Sequence, residues 1–133
     1  MNWMIPAVVE SVMTMTKNKE ATRFASSTQE NRIAKKFNGK VSSNSGASTF
    51  SGGDVYVDDA SLCIECKTCM KPSKSFSIKK DWIDKNKQEA FIYRLENHCI
   101  AFNFNYEDKN DYYIIDDKLM GFLVECLRKE YEN

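Results

Sequence analysis

The sequence predicts one α/β domain preceded by a helical arm. Segments with apolar residues at helical spacing occur along the chain among short segments rich in Ile, Val, Phe and Tyr, which favour strands. Clusters of turn-forming residues separate these segments. The 133 residues, 42% of them hydrophobic, suffice for a single core. We expect the order helix, helix, two or three strands, helix, two strands, helix.

The N-terminal region predicts a short helix and a connection. An amphipathic helix is expected over residues 5–16, where Pro6 suits the first turn and three apolar side chains recur at helical spacing. Residues 17–26 are polar and are interpreted as a connection. Residues 1–26 are therefore expected to form a helical arm, and residues 27–133 the main domain.

A second helix is predicted to begin at Ser27 and to end at Asn38, with Gly39 as its stop signal. Glu30 lies on the apolar stripe of this helix, so its carboxylate is expected to face the protein. Two roles are open for Glu30. It either completes a capping box with Ser27 or belongs to an active site.

The rest of the chain predicts a loop, strands and two further helices. Residues 42–53 are rich in Ser and Gly and predict a loop. Two strands, Asp54 to Val57 and Leu62 to Thr68, are expected to form a hairpin. The later elements are expected in this order: a helix from about Lys79 to Leu95 capped by Ser77, strands over residues 99–104 and 112–115, and an amphipathic final helix that starts at Asp116 and Asp117.

Charge and cysteine content indicate the class of protein. Basic and acidic residues number 19 each, but residues 1–80 carry 12 basic and 7 acidic side chains, and residues 81–133 carry 7 and 12. This asymmetry is typical of a basic binding surface, and random clustering explains it equally well. Five cysteines, no secretory leader and no apolar run of 18 residues predict a soluble cytoplasmic protein with reduced thiols and no membrane association.

The candidate active-site residues lie on the two strands of the predicted hairpin. Side chains alternate along a strand, so Glu65 and Lys67 share one face, and pairing of the two strands brings Asp54 beside Glu65. Two carboxylates of this kind suit Mg²⁺, with Mn²⁺ as a substitute. Lys67 is then placed to orient a water molecule or to offset developing negative charge. The alternative is that Glu65 and Lys67 are ordinary charged residues on a half-buried strand.

A cysteine-bound metal is the other alternative that the motifs suggest. The spacing Cys63-x-x-Cys66-x-x-Cys69 is similar to that of zinc and iron–sulfur motifs. Within an extended strand, however, Cys63 and Cys66 point to opposite faces and cannot bind one ion. The single histidine, His98, is expected at the start of a strand in a structural role.

The arrangement of Asp54 and Glu65-Cys66-Lys67 resembles the signature of the PD-(D/E)XK nucleases. The surrounding residues are most similar to those of archaeal and phage Holliday-junction resolvases, over about residues 27–115. The further matching segments are the helix with Glu30, the loop Ser45-Gly46-Ala47, Gly53-Asp54-Val55, Ser75-Phe76-Ser77-Ile78, Trp82-Ile83 and Gln88-Glu89-Ala90.

The resemblance implies a restriction-endonuclease-like core, in which a central mixed β-sheet is flanked by helices, and a Mg²⁺-dependent homodimer that cuts branched DNA in the cytoplasm, or the host cytoplasm if phage-encoded. The expected catalytic residues are Glu30, Asp54, Glu65 and Lys67, with Asp54 and Glu65 as metal ligands. The expected DNA-binding residues are Lys40, Ser45, Lys79 and Gln88. Two alternatives stay open: a nicking or restriction-type nuclease that acts on duplex DNA, and a catalytically silent DNA-binding module.

Overall fold

The computed structural model describes residues 5–42 and 54–132, with side chains from residue 21 onward. The predicted α/β class is confirmed, because a five-stranded mixed sheet is flanked by helices. The elements are α1 (Ile5–Phe37), β1 (Lys40–Val41), β2 (Asp54–Val57), β3 (Leu62–Cys66), α2 (Lys80–Ile92), β4 (Asn97–Phe102), β5 (Tyr112–Ile115) and α3 (Asp117–Glu130). Within the described ranges, no helix is both long and apolar enough to cross a membrane.

The strands follow one another across the sheet in chain order, from β1 to β5. Only β3 and β4 run parallel, and the other neighbouring pairs in this sheet are antiparallel. A parallel pair needs a crossover connection, and α2 lies in the segment that links β3 to β4. The sheet is therefore mixed because one helical crossover interrupts a series of antiparallel neighbours.

The two faces of the sheet carry two separate cores. On one face, Ile33 and Ala34 of α1 pack with Ile64 and Cys66 of β3 and with other buried strand residues. On the other face, Tyr56, Cys63 and Ala90 form a smaller core beneath α2. Side chains of β2 and β3 alternate between these faces, so every second residue of each strand points toward α2.

The expected connection between two N-terminal helices is wrong, because α1 is continuous over residues 5–37. Residues 17–26 are polar, but they include Lys, Glu, Ala and Arg, which are strong helix formers, and contain neither Pro nor Gly. Ser27 consequently lies inside α1 and cannot be its N-cap. The proposed division between residues 26 and 27 falls within this helix and stays a prediction.

The predicted end of α1 is confirmed, although a different residue forms the left-handed turn. Asn38 has φ 54° and follows the last helical residue, Phe37. Gly39 donates its backbone N–H to Ala34 O at 2.8 Å. A Cβ atom at Gly39 would lie 2.8 Å from Tyr56 O, so glycine is required here for the close approach of the chain to β2.

The hairpin of β2 and β3 is confirmed, and its connection is a 3₁₀ turn, Asp58–Ala60.

The predicted cap of α2 is wrong, since Lys79 occupies the N-cap position instead of Ser77. Helix α3 begins as predicted, and the Asp116 side chain accepts a hydrogen bond from Leu119 N at 2.9 Å. Most of the predicted loop, residues 43–53, lies outside the described residues.

Candidate active site

Asp54 and Glu65 lie opposite each other on neighbouring strands. Asp54 is the first residue of β2, and the antiparallel register pairs it with Glu65 near the end of β3. Opposed residues on one face have Cβ atoms about 5 Å apart. Asp54 is 5% exposed and Glu65 is fully buried. The hairpin thus holds two carboxylates side by side on the face of the sheet that α2 covers.

Helix α2 supplies a third carboxylate. One oxygen from each of Asp54, Glu65 and Glu89 lies within 4.8 Å of the others. Tyr56, two residues after Asp54, donates its hydroxyl hydrogen to Glu89 Oε1 at 2.9 Å. Glu89 is not among the site residues that the sequence predicts. Its position directly before the buried Ala90, at the edge of the inward face of α2, is the signal that would have indicated it.

The three carboxylates have more oxygens than the described protein groups can satisfy. Asp54 Oδ1, Glu65 Oε2 and Glu89 Oε2 are buried and have no hydrogen-bond partner among the other described groups, so the hydrogen bonds open to them are those of the proton that Asp54 shares with Glu65 and Glu89. Burial of Asp54, together with the carboxylates of Glu65 and Glu89, raises the pKa of Asp54 to about 11. Oxygen donors with unsatisfied lone pairs, gathered at one point, are the ligand type that a hard divalent cation prefers.

Two lysines lie close to one oxygen of Glu65. Lys67 Nζ lies 3.3 Å from Glu65 Oε1, and Lys85 Nζ lies 3.6 Å from the same oxygen. Lys67 Nζ also lies 4.6 Å from the centre of the Trp82 ring, in cation–π geometry. The predicted closeness of Asp54, Glu65 and Lys67 is therefore observed, and Lys85 is an addition that sequence reasoning did not identify.

A buried polar network fixes the backbone of Lys67. Lys67 N donates to Ala101 O at 2.8 Å, and Gln29 Nε2 of α1 donates to Lys67 O at 2.8 Å. The same amide group lies 3.3 Å from Asp111 Oδ1, and Arg32 contacts both oxygens of Asp111. Helix α1 therefore helps to position the end of β3, although it packs on the opposite face of the sheet.

Glu30 is buried on α1, but it is not one of the three clustered carboxylates. Its charge acts on Cys66, whose side chain faces α1. The pKa of Cys66 is raised by burial first and by Glu30 next. Because Ser27 is not a helix cap, the capping-box role of Glu30 is wrong. Its catalytic role stays a prediction.

The predicted DNA-binding residues are placed at different points around the site. Lys40 is exposed and pairs with Asp58 at 2.7 Å. Lys79 is exposed at the start of α2, with its Nζ 5.7 Å from the centre of the Trp82 ring. Gln88 is exposed on α2, and Ser45 lies outside the described residues. The structure tests none of these four residues as a DNA contact.

The cysteines do not form a metal site in the described part of the chain. Cys63 packs beneath α2, whereas Cys66 belongs to the core beneath α1, as the strand alternation predicts. Burial raises the pKa of both thiols, and that of Cys99 to about 12, so the thiols stay protonated at neutral pH. His98 Nδ1 lies 3.1 Å from Asn86 Oδ1, consistent with a structural role.

Comparison with protein-family models, with curated proteins and with solved structures gives no match for this chain.

Proposed function

We propose that this protein is a metal-dependent DNA endonuclease with a restriction-endonuclease-like core. The observation that carries the proposal is the hairpin register, which sets Asp54 opposite Glu65 on one face and Lys67 two residues further along it. A mixed sheet with α1 on one face and α2 on the other supports the proposed fold. Hydrolysis of a phosphodiester needs charge stabilisation at the phosphate and an activated water, which this set of groups can provide.

The residues that would hold Mg²⁺ or Mn²⁺ are Asp54, Glu65 and Glu89. Their buried oxygens without partners fit a hard cation, and no histidine or thiolate is needed. When bound, the ion supplies acidification of water and neutralisation of phosphate charge. Burial first, and then the neighbouring Glu65 and Glu89, raise the pKa of Asp54. The positive charge of a bound cation would favour the ionised form of this carboxyl.

Lys67 is the proposed electrostatic catalyst. Its ammonium group is almost buried, lies 3.3 Å from Glu65 and packs against Trp82, so it is held at the edge of the carboxylate group. A fixed cation there can orient the attacking water or stabilise negative charge on the phosphate. Lys85 approaches the same carboxylate from an exposed position on α2. We assign Lys85 to contact with the phosphate backbone of the substrate.

The proposed substrate is branched DNA such as a four-way junction, which a homodimer would cut at two strands. The proposal of branched DNA comes from the resemblance of the motifs around Asp54, Glu65 and Lys67 to those of junction resolvases. A junction relates its equivalent strands by a two-fold axis, so two identical active sites match its symmetry. The exposed apolar face of α3 offers a surface for association of two chains.

A cleavage panel tests the function. The purified protein is incubated with end-labelled four-way junction, flap, duplex and single-stranded DNA, with Mg²⁺ and with EDTA. We expect Mg²⁺-dependent cutting, strongest on the branched substrates. Equal cutting of plain duplex would transfer the assignment to a nicking or restriction-type nuclease. Binding without cutting of any substrate, in Mg²⁺ or Mn²⁺, would contradict the nuclease function and favour a silent DNA-binding module.

A further inference from the structure

A continuous row of aromatic rings extends from the candidate active site across the sheet. Phe76 contacts the Trp82 ring at a centroid distance of 6.2 Å and the Phe102 ring at 5.2 Å. Phe102 in turn contacts Phe104 at 5.6 Å and Tyr112 at 5.8 Å. We call these five residues the aromatic row. They are partly exposed, and Tyr112 at the far end is 52% exposed.

The register of the sheet places the aromatic row next to Lys67. β3 and β4 are parallel, with Glu65 opposite Ile100 and Cys66 opposite Ala101, and Lys67 N donates to Ala101 O. Lys67 is therefore level with Phe102, on the face that α2 covers. The row begins at Trp82, whose ring lies 4.6 Å from Lys67 Nζ. The row thus starts beside Lys67, the proposed electrostatic catalyst.

A basic segment runs along the same part of the molecule. Residues 67–80 contain five lysines and no acidic residue, and we call this stretch the basic segment. Four of these lysines are exposed: Lys71, Lys74, Lys79 and Lys80. The segment is attached to the chain that follows β4, because Ser73 N donates to Phe104 O at 3.0 Å and Tyr106 N donates to Cys69 O at 2.8 Å. Exposed positive charge is therefore held beside the rings.

We infer that the aromatic row and the basic segment bind single-stranded DNA, and that the strand entering the active site has unpaired bases beside the bond to be cut. Lysines in this segment neutralise phosphates of any DNA, but aromatic rings stack only on bases whose faces are free. Paired bases within a duplex are stacked on their neighbours and cannot use such rings. The combination selects a strand that is unpaired next to the site, as at a flap or at an opened branch point.

This inference rests on the proposed nuclease function for the direction of the strand, but the binding itself is independent of cleavage. It is measured by tryptophan fluorescence in EDTA with a Trp3→Phe variant, because the chain has two tryptophans and this change leaves Trp82 as the sole tryptophan. The protein is titrated with a twelve-nucleotide oligo(dT) and with a hairpin duplex of equal phosphate number. We expect oligo(dT) to quench Trp82 and to bind about tenfold more tightly than the duplex.

A matched pair of tyrosine variants separates stacking from general attraction. Tyr112→Ser, made in the Trp3→Phe background, is expected to weaken oligo(dT) binding by on the order of tenfold and to leave duplex binding unchanged. Tyr131→Ser is the control, because Tyr131 is 78% exposed and follows α3, outside the aromatic row. It should leave both affinities unchanged. Both tyrosines are exposed, so neither substitution removes a core residue.

Equal affinity for oligo(dT) and duplex, or equal behaviour of the Tyr112→Ser and Tyr131→Ser proteins, would overturn the inference and leave only a non-specific basic surface. If the proposed nuclease function is wrong but the binding inference is right, the two experiments give a different combination of results. A protein that shows the expected quenching and selectivity but cuts no DNA in Mg²⁺ supports the binding surface and contradicts the nuclease.

Discussion

Three carboxylates lie close together at one point of the fold, those of Asp54 and Glu65 buried and that of Glu89 partly exposed. In the metal-free protein, Asp54 keeps its proton because it is buried and faces Glu65 and Glu89. A cation would replace that proton. The charge state of Asp54 is therefore expected to affect both the stability of the protein and its binding of metal.

The first prediction concerns pH. An unfolded chain releases the Asp54 proton above about pH 3.9, whereas the folded protein keeps it up to a pKa of about 11. The folded state binds more protons over this range, so the stability of the metal-free protein falls as the pH rises. We expect the urea midpoint in EDTA to decrease between pH 5 and pH 8. This pH range lies below the ordinary pKa of cysteine.

Asp54→Asn should remove most of this decrease and make the metal-free protein more stable at pH 8, because the side chain no longer ionises. Asp59→Asn is the control, since Asp59 is exposed in the turn between β2 and β3. A midpoint that falls equally with pH in wild type and in Asp54→Asn would show that Asp54 does not retain its proton.

The second prediction concerns Glu89. Glu89→Gln removes a ligand charge but keeps an oxygen that can accept the hydrogen bond of Tyr56. We expect Mn²⁺ affinity, measured by calorimetry, to fall at least about tenfold. Glu96→Gln, at an exposed position after α2, should bind Mn²⁺ like wild type. Unchanged affinity of Glu89→Gln would exclude Glu89 from the metal site.

The sequence was sufficient to predict that Asp54, Glu65 and Lys67 meet, because strand alternation and hairpin pairing are local rules. It was insufficient for Glu89 and Lys85, which reach the site from α2 after a crossover whose packing no local pattern defines. The same limit applies to Gln29, which contacts Lys67 across 38 positions of sequence.

At the scale of elements, two properties of the N-terminal sequence predict different structures. Its polarity predicts a connection, whereas its helix propensity predicts a helix. Residues 17–26 lack an apolar stripe and were interpreted as a connection, but their helix propensity is high and α1 continues through them. The strands, α2 and α3 were predicted within a few residues of their ends. The short strand β1 was not predicted, because two residues carry no periodicity.

The third prediction uses two potential caps. Ser27 is exposed in the interior of α1, so Ser27→Ala should change the free energy of unfolding by no more than about 0.5 kcal/mol. Asp116 is an observed cap, so Asp116→Ala should lower the free energy of unfolding by about 1 kcal/mol. Asp116→Asn, whose side chain can still cap the helix, should keep most of the wild-type free energy of unfolding. Chemical denaturation measures all three, and a loss of about 1 kcal/mol for Ser27→Ala would contradict the continuous helix.

At the scale of the whole molecule, α3 leaves much of the apolar face that its sequence pattern predicts exposed to solvent. Phe122 is 64% exposed and Leu127 is 53% exposed, and no residue of α3 is buried. Amphipathicity predicts which face of a helix is apolar, but it does not specify what covers that face. The proposed homodimer would use this surface.

The fourth prediction is that the protein sediments at about twice its chain mass of 15.4 kDa. Leu127→Lys should shift the protein toward the monomer, because the substitution places a charge in the apolar face of α3. Glu130→Lys, at another exposed position of α3, should leave the sedimenting mass unchanged. Sedimentation velocity measures both. A monomer at all concentrations, with and without junction DNA, would contradict the paired-site proposal.

The most direct test of the central claim is the rate of Mg²⁺-dependent cleavage of a labelled four-way junction by wild type and by Glu65→Gln, with circular dichroism as the check of folding. Glu65 is fully buried between Asp54 and Lys67, and the substitution removes its charge with little change in volume. We expect Glu65→Gln to lose at least about a hundredfold in rate with the fold intact. Undiminished cleavage by the folded variant would contradict it.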